Sequence, residues 1–213
     1  MKKTIIAAVL GVVASIASQN NGNAQGFIFF GNYLGGLTQT APVTYSGSTM
    51  LGMSSGQAVG NSTGVNNPTF TADLLVSFGA NLGVTYTDLN IPTAFLGNNG
   101  DSVANGAGLF GGSGNQVSIS GYTTGPVDFI IQVFSGADYA SSAISGQSAV
   151  IALTGLATAA NSLPTGSLFS GDNSAVTSGI QPFTVSPVPE PATLALAGLG
   201  GLASLVMLRR KQA

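Results

Sequence analysis

Two runs of strict alternation constrain this chain more than anything else in it. Phe70-Thr71-Ala72-Asp73-Leu74-Leu75-Val76-Ser77-Phe78 puts Phe70, Ala72, Leu74, Val76 and Phe78 at every second position. Residues 127–134 repeat the device with Val127, Phe129, Ile131 and Val133. Successive side chains of a strand point to opposite faces, so each run offers one apolar face to a core. Asp73 and Asp128 fall on the other faces. Shorter strand candidates are residues 26–30, 42–50, 84–87, 116–120, 148–154 and 180–185, with Gly, Asn and Pro between them as turn chemistry requires. Many short strands and few helical periods predict a mainly β fold, an antiparallel β-sandwich. One short helical turn is expected from Asp138 as a cap through Tyr139, Ala140, Ala143 and Ile144, stopped by Gly146. Residues 97–114, GNNGDSVANGAGLFGGSG, read as a mobile loop or hairpin tip. No internal period of a solenoid repeat emerges.

The charge distribution narrows the function classes. Residues 25–187 hold six aspartates (73, 88, 101, 128, 138 and 172) and no Lys, Arg or Glu. A surface without cations cannot neutralise phosphates, which argues against nucleic acid as a partner. It also lacks the arginines that grip carboxylates and anionic sugars. There is no cysteine, so the fold rests on packed apolar area and backbone hydrogen bonds, without disulfides. Trypsin has no site between Lys3 and Arg209.

All the cations sit in two oily ends. Residues 1–24 read as a signal peptide, whose helix is expected to be removed. Lys2 and Lys3 form its positive region, residues 5–17 its apolar core, and Gly22-Asn23-Ala24 a small-residue cleavage site that leaves Gln25 as the first mature residue. Ser15-Ile16-Ala17 is a second, weaker site. At the other end stands Val188-Pro189-Glu190-Pro191, through which no helix can run. Residues 192–208 follow, uncharged, mostly apolar and carrying six leucines. As a helix they would rise about 26 Å, the short end of a bilayer span, which predicts a single C-terminal transmembrane helix. Arg209, Arg210 and Lys211 then act as a membrane stop on the cytoplasmic side. The expected division is signal peptide 1–24, exported β-rich domain 25–187 and C-terminal segment 188–213.

A Pro-Glu-Pro box, a short hydrophobic helix and a terminal arginine cluster resemble the PEP-CTERM sorting signal of bacterial envelope proteins. The resemblance covers about an eighth of the chain. It implies recognition by an exosortase-type sorting enzyme, cleavage near the box, and release or attachment at the cell surface or extracellular matrix, often with exopolysaccharide. The precursor would be anchored in the inner membrane. The same C-terminal motif has been catalogued with some ice-binding proteins.

The residues offer little chemistry. Without histidine or cysteine, the common general bases, thiol nucleophiles and zinc ligands are missing. A serine nucleophile would have neither His nor Lys in the mature region as its base. The expectation is therefore no catalytic residues, no metal and no cofactor. Calcium is the one alternative, from the oxygens of Asn98, Asn99, Asp101 and Asn105, of which only one is charged. Gly111-Gly112-Ser113-Gly114-Asn115-Gln116 starts like a calcium nonapeptide repeat, but Gln116 stands where an aspartate belongs, so a glycine-rich turn is expected. Asn61-Ser62-Thr63 fits a glycosylation pattern and reads as a polar loop. Two functions remain: a structural or matrix protein of the cell envelope, or a binding module for neutral glycan or ice. Ice binding would use a flat threonine array, to which Thr38/Thr40 and Thr85/Thr87 contribute two isolated pairs.

Overall fold

The computed structural model describes residues 25–47, 53–61, 69–158, 166–170 and 172–188. The fold is mainly β. Its strands are β1 (Gln25–Gly31), β2 (Val43–Tyr45), β3 (Phe70–Phe78), β4 (Thr87–Asp88), β5 (Thr93–Ala94), β6 (Gly111–Ser120), β7 (Val127–Ser135), β8 (Ile144–Gln147), β9 (Ile151–Leu153), β10 (Val176–Ser178) and β11 (Phe183–Pro187). Helical structure among the described residues is confined to three-residue 3-10 turns.

The two alternating runs become neighbours. β3 and β7 pair antiparallel without a slip from Phe70↔Ser135 to Phe78↔Val127. That register sets Ala72 against Val133, Leu74 against Ile131 and Val76 against Phe129, so the two apolar faces coincide. A slip of one residue would turn one strand's apolar set outward. The far edge of β7 is shared: β9 pairs with Val127–Phe129 and β8 with Gln132–Phe134. Ser148 closes the gap between them, its N–H donating to Ile131 O at 2.9 Å and its Oγ accepting Ile131 N–H at 3.0 Å. β10 adds to β9, and β4 and β5 to the other edge of β3. β11 pairs antiparallel with β8 and parallel with β2. That parallel pair departs from the all-antiparallel expectation.

β1 and β6 form a second sheet. Ile28 and Phe30 of β1 and Val117 and Ile119 of β6 join the inner residues of β3 and β7 in one hydrophobic cluster. An aromatic chain crosses it: Tyr45 to Phe70 at 5.7 Å between ring centres, Phe70 to Phe95 at 6.4 Å, Phe95 to Phe110 at 5.3 Å and Phe110 to Phe30 at 5.3 Å. All four pairs are tilted or edge-on, the arrangement the ring quadrupoles favour.

Four local expectations are corrected. Asp138 does cap a turn, accepting Ser141 N–H and Ser141 Oγ–H at 2.8 Å each, but no helix follows. Ser142 is buried instead, donating to Ser135 O at 2.7 Å and accepting Ser135 N–H at 2.9 Å. Such side-chain bonds satisfy backbone groups that a helix would have used. Ile144 then enters β8, and Gly146, expected as a helix stop, lies where Thr184 O leaves no room for a Cβ. The second correction concerns 97–114: Ala107, Leu109 and Phe110 are fully buried, and residues from Gly111 onward belong to β6 and form no turn. Third, residues 82–84 are turn, and only Thr87 of the candidate at 84–87 is in a strand. Fourth, Ser186 and Pro187, beyond the strand candidate at 180–185, continue the strand and are paired with Ser145 and Ile144. β5, β8 and β10 have no counterpart among the expected strands.

Candidate functional site

The strongest functional signal in the sequence adjoins β11. β11 lies inside the large sheet, flanked by β8 and β2, with Val185 fully buried. Its pairing runs to Pro187↔Ile144. One further bond follows, from Val188 N–H to Ala143 O at 2.9 Å, while the Val188 side chain is 40% exposed. Proline fits at the end of this strand because it has no N–H to place in the ladder. Val188 thus hands the chain from an interior strand of the sheet to the Pro-Glu-Pro box. Pro189, Glu190, Pro191, Arg209, Arg210 and Lys211 lie outside the described residues, as does the helix expected at 192–208. Among the described residues, no helix is long and apolar enough to cross a membrane.

Gln25, the expected first mature residue, is the first residue of β1 and sits opposite Ser120. Ala24 and the rest of the expected signal peptide lie outside the described residues.

The oxygen-rich loop is committed to the fold. Asn99 Oδ1 accepts Gly60 N–H at 2.7 Å and Tyr45 O–H at 3.1 Å. Burial pushes the Tyr45 phenol up to about 12, so it is a donor at any ordinary pH. Asn98 Nδ2 reaches Asp101 Oδ2 at 3.3 Å, and Asn105 closes a 3-10 turn through its backbone. Among the described residues no group of three or more acidic, His or Cys side chains is gathered. Asn61 donates its side-chain amide to Phe95 O, which explains the sequon as a packing residue. Of the two threonine pairs, only Thr87 stands in a strand.

One juxtaposition was invisible in sequence. Asp73, 6% exposed on β3, and Asp88 on β4 lie within hydrogen-bonding reach of each other. Burial raises the Asp73 carboxyl above its ordinary range, and the Asp88 charge adds to this; N–H bonds from Ile91 at 3.0 Å and Leu74 at 2.8 Å pull the other way. Asp128 is also raised, by burial. The register Leu75↔Asp88 brings the pair together, and no local pattern announces a pairing with a two-residue strand. Phe29, Tyr33, Leu34, Phe169 and Asp172 line a cavity of about 50 Å³. Pockets that hold organic ligands run to roughly 300 Å³ or more, so this one takes at most a water or two.

No curated protein and no solved structure matches the chain. Residues 187–211 do match a family model, described as the PEP-CTERM protein-sorting motif, which begins on the last residue of β11. The chain therefore carries a PEP-CTERM sorting motif, which implies export and handling by exosortase-type machinery at the membrane.

Proposed function

We propose that this is a structural or matrix protein of the cell envelope, sorted and cleaved by an exosortase, whose mature form is the β-rich body alone. One observation carries the reading: β11, an interior strand of the large sheet, pairs up to Pro187, the residue at which the sorting-motif match begins. Cleavage beyond Val188 leaves every described strand and core residue in the mature form. The body is read as a β-sandwich, its two sheets sharing one core. It acts by association, with extracellular polysaccharide as the expected partner. The cation-free composition, without histidine or cysteine, supports a role without catalysis, metal or cofactor. Neutral hydrogen-bonding side chains then make the surface contacts.

The test is mass spectrometry of protein extracted from the cell surface, after digestion with a non-tryptic protease. The expected mature form begins at Gln25 and ends close to Pro191. A surface form still carrying Arg209 to Ala213 replaces this reading with a permanent membrane anchor. Fractionation after enzymatic removal of exopolysaccharide tests the partner: the protein should leave the matrix fraction with the polysaccharide.

A further inference from the structure

β6 presents an open edge. Phe27 N–H donates to Ala157 O at 2.8 Å and Phe29 N–H to Gly166 O, so these two residues of β1 face away from β6. Alternate residues of a strand turn their N–H and C=O to opposite edges. Gly26 and Ile28 therefore bond to β6, through their partners Ile119 and Val117. Gln116, Ser118 and Ser120 then aim their backbone groups away from β1, where no strand follows among the described residues. The edge opens on a groove of about 420 Å³ walled on its far side by Ile91, Pro92 and Thr93. Other outer strands offer less. β2 is closed by bonds with Gln57 and Val59, and β10 is three residues long.

Natural sheets guard such edges with lysine, proline, bulges or inward charges. Residues 116–120 have none of these. Their order, Gln116-Val117-Ser118-Ile119-Ser120, is also self-complementary about Ser118. Laid antiparallel on its own copy, it sets Ser118 against Ser118, Val117 against Ile119 and Gln116 against Ser120. Polar then meets polar on the exposed face, and apolar meets apolar on the buried one. Charge points the same way: the body is purely anionic, so copies repel wherever aspartates meet, and neither β6 nor residues 91–93 carry one.

We propose that β6 is a self-association edge, joining two copies of this chain into a continuous β1–β6–β6–β1 sheet across a two-fold axis at Ser118. This rests on the matrix reading for its biological sense, and gives that reading a contact. Ser118 would be a hydrogen-bonded pair with itself, with Cα atoms about 5.5 Å apart, within the span of a disulfide.

The full chain has no cysteine, so one substitution supplies a unique probe. Full-length Ser118→Cys, oxidised on the cell surface, should give a band at twice the chain mass. Ser102→Cys, exposed but off every sheet edge, is the control and should give little. Adding Ser120→Pro to Ser118→Cys removes an N–H that faces outward, leaving the β1 ladder whole, and should cut the dimer roughly tenfold or more. Equal cross-linking at positions 118 and 102, or no effect of Ser120→Pro, overturns the proposal. A cross-link of any other mass overturns the second copy as occupant. Neither failure touches the matrix reading, which stands or falls on fractionation with polysaccharide.

Discussion

The β3–β7 ladder and the arch of residues 97–112 build the same core by different means. In the ladder, large side chains do the work: Phe70, Leu74, Phe129, Ile131 and Val133 are wholly buried, and the backbone follows a regular register. In the arch, the main chain itself is packed. Gly97 N–H reaches Gly106 O at 3.1 Å, Leu96 N–H reaches Leu109 O at 2.8 Å, and Gly97 O accepts Asn61 N–H at 2.7 Å. Gly97 lies so close to the Ala107 backbone that a Cβ has no space. Asn32 locks the assembly, its Nδ2 donating to Ala41 O at 2.8 Å and Gly108 O at 2.7 Å, its Oδ1 accepting Phe110 N–H at 2.8 Å. Apolar side chains tolerate some irregularity of shape, whereas backbone packed on backbone demands that each polar group find its partner. Glycine and asparagine serve that second purpose here, and their abundance in the arch marks close packing.

This difference can be attacked from the ladder first. Ile131→Ala deletes a fully buried side chain between β3, β8 and β9, and should lower the unfolding free energy by about 3–4 kcal/mol, read from denaturant midpoints. A loss under 1 kcal/mol would mean that the ladder does not dominate the core. Asn32→Ala comes next. It strands Ala41 O and the Phe110 N–H inside the protein and leaves Gly108 O with the Val43 N–H alone, for an expected loss of about 2–3 kcal/mol. If the arch were only a loop draped on the surface, this variant would be almost silent. Tyr45→Phe removes one hydrogen bond to Asn99 and keeps the ring against Phe70, so about 1 kcal/mol should go.

The smallest effect has an informative sign. Asp73 has a folded pKa raised above its ordinary value of 3.8. Its contribution to stability is therefore fully present below that value and is lost as pH rises through the folded pKa. Asp73→Asn keeps an oxygen to accept the Leu74 and Ile91 N–H groups and removes the repulsion with Asp88. The variant should melt above the parent protein at pH 7, with the gap closing as pH falls toward 3.8. A constant gap, or a lower midpoint at pH 7, would show that the ionised pair is not under strain.

β3 and β7 were legible because alternation over many residues survives any tertiary context that leaves one face buried. Their bounds in the structure match the runs to within a residue. The stretch at 138–147 was not legible. Asp138, two alanines and a glycine satisfy the local grammar of a short helix, but Ser142 and Ser148 find partners on β7, at Ser135 and Ile131, beyond the reach of a helical turn. The arch failed for a related reason: glycine in a mobile loop and glycine under a crossing backbone leave the same mark in sequence. The sorting motif needed no structure at all, since its residues are contiguous and its match covers 187–211.

By itself the amino-acid order determined the strand-forming runs, the absence of positive charge between residues 25 and 187, and the identity of the C-terminal sorting signal. These depend on periodicity and contiguity, which are local properties. Only the tertiary structure decided that β11 is an interior strand ending at the signal, that Asp73 meets Asp88, and that no described strand follows β6 on its outer edge. Each of those is a matter of which distant segment comes to lie alongside, and the partner of a strand is chosen by the packing of the whole core.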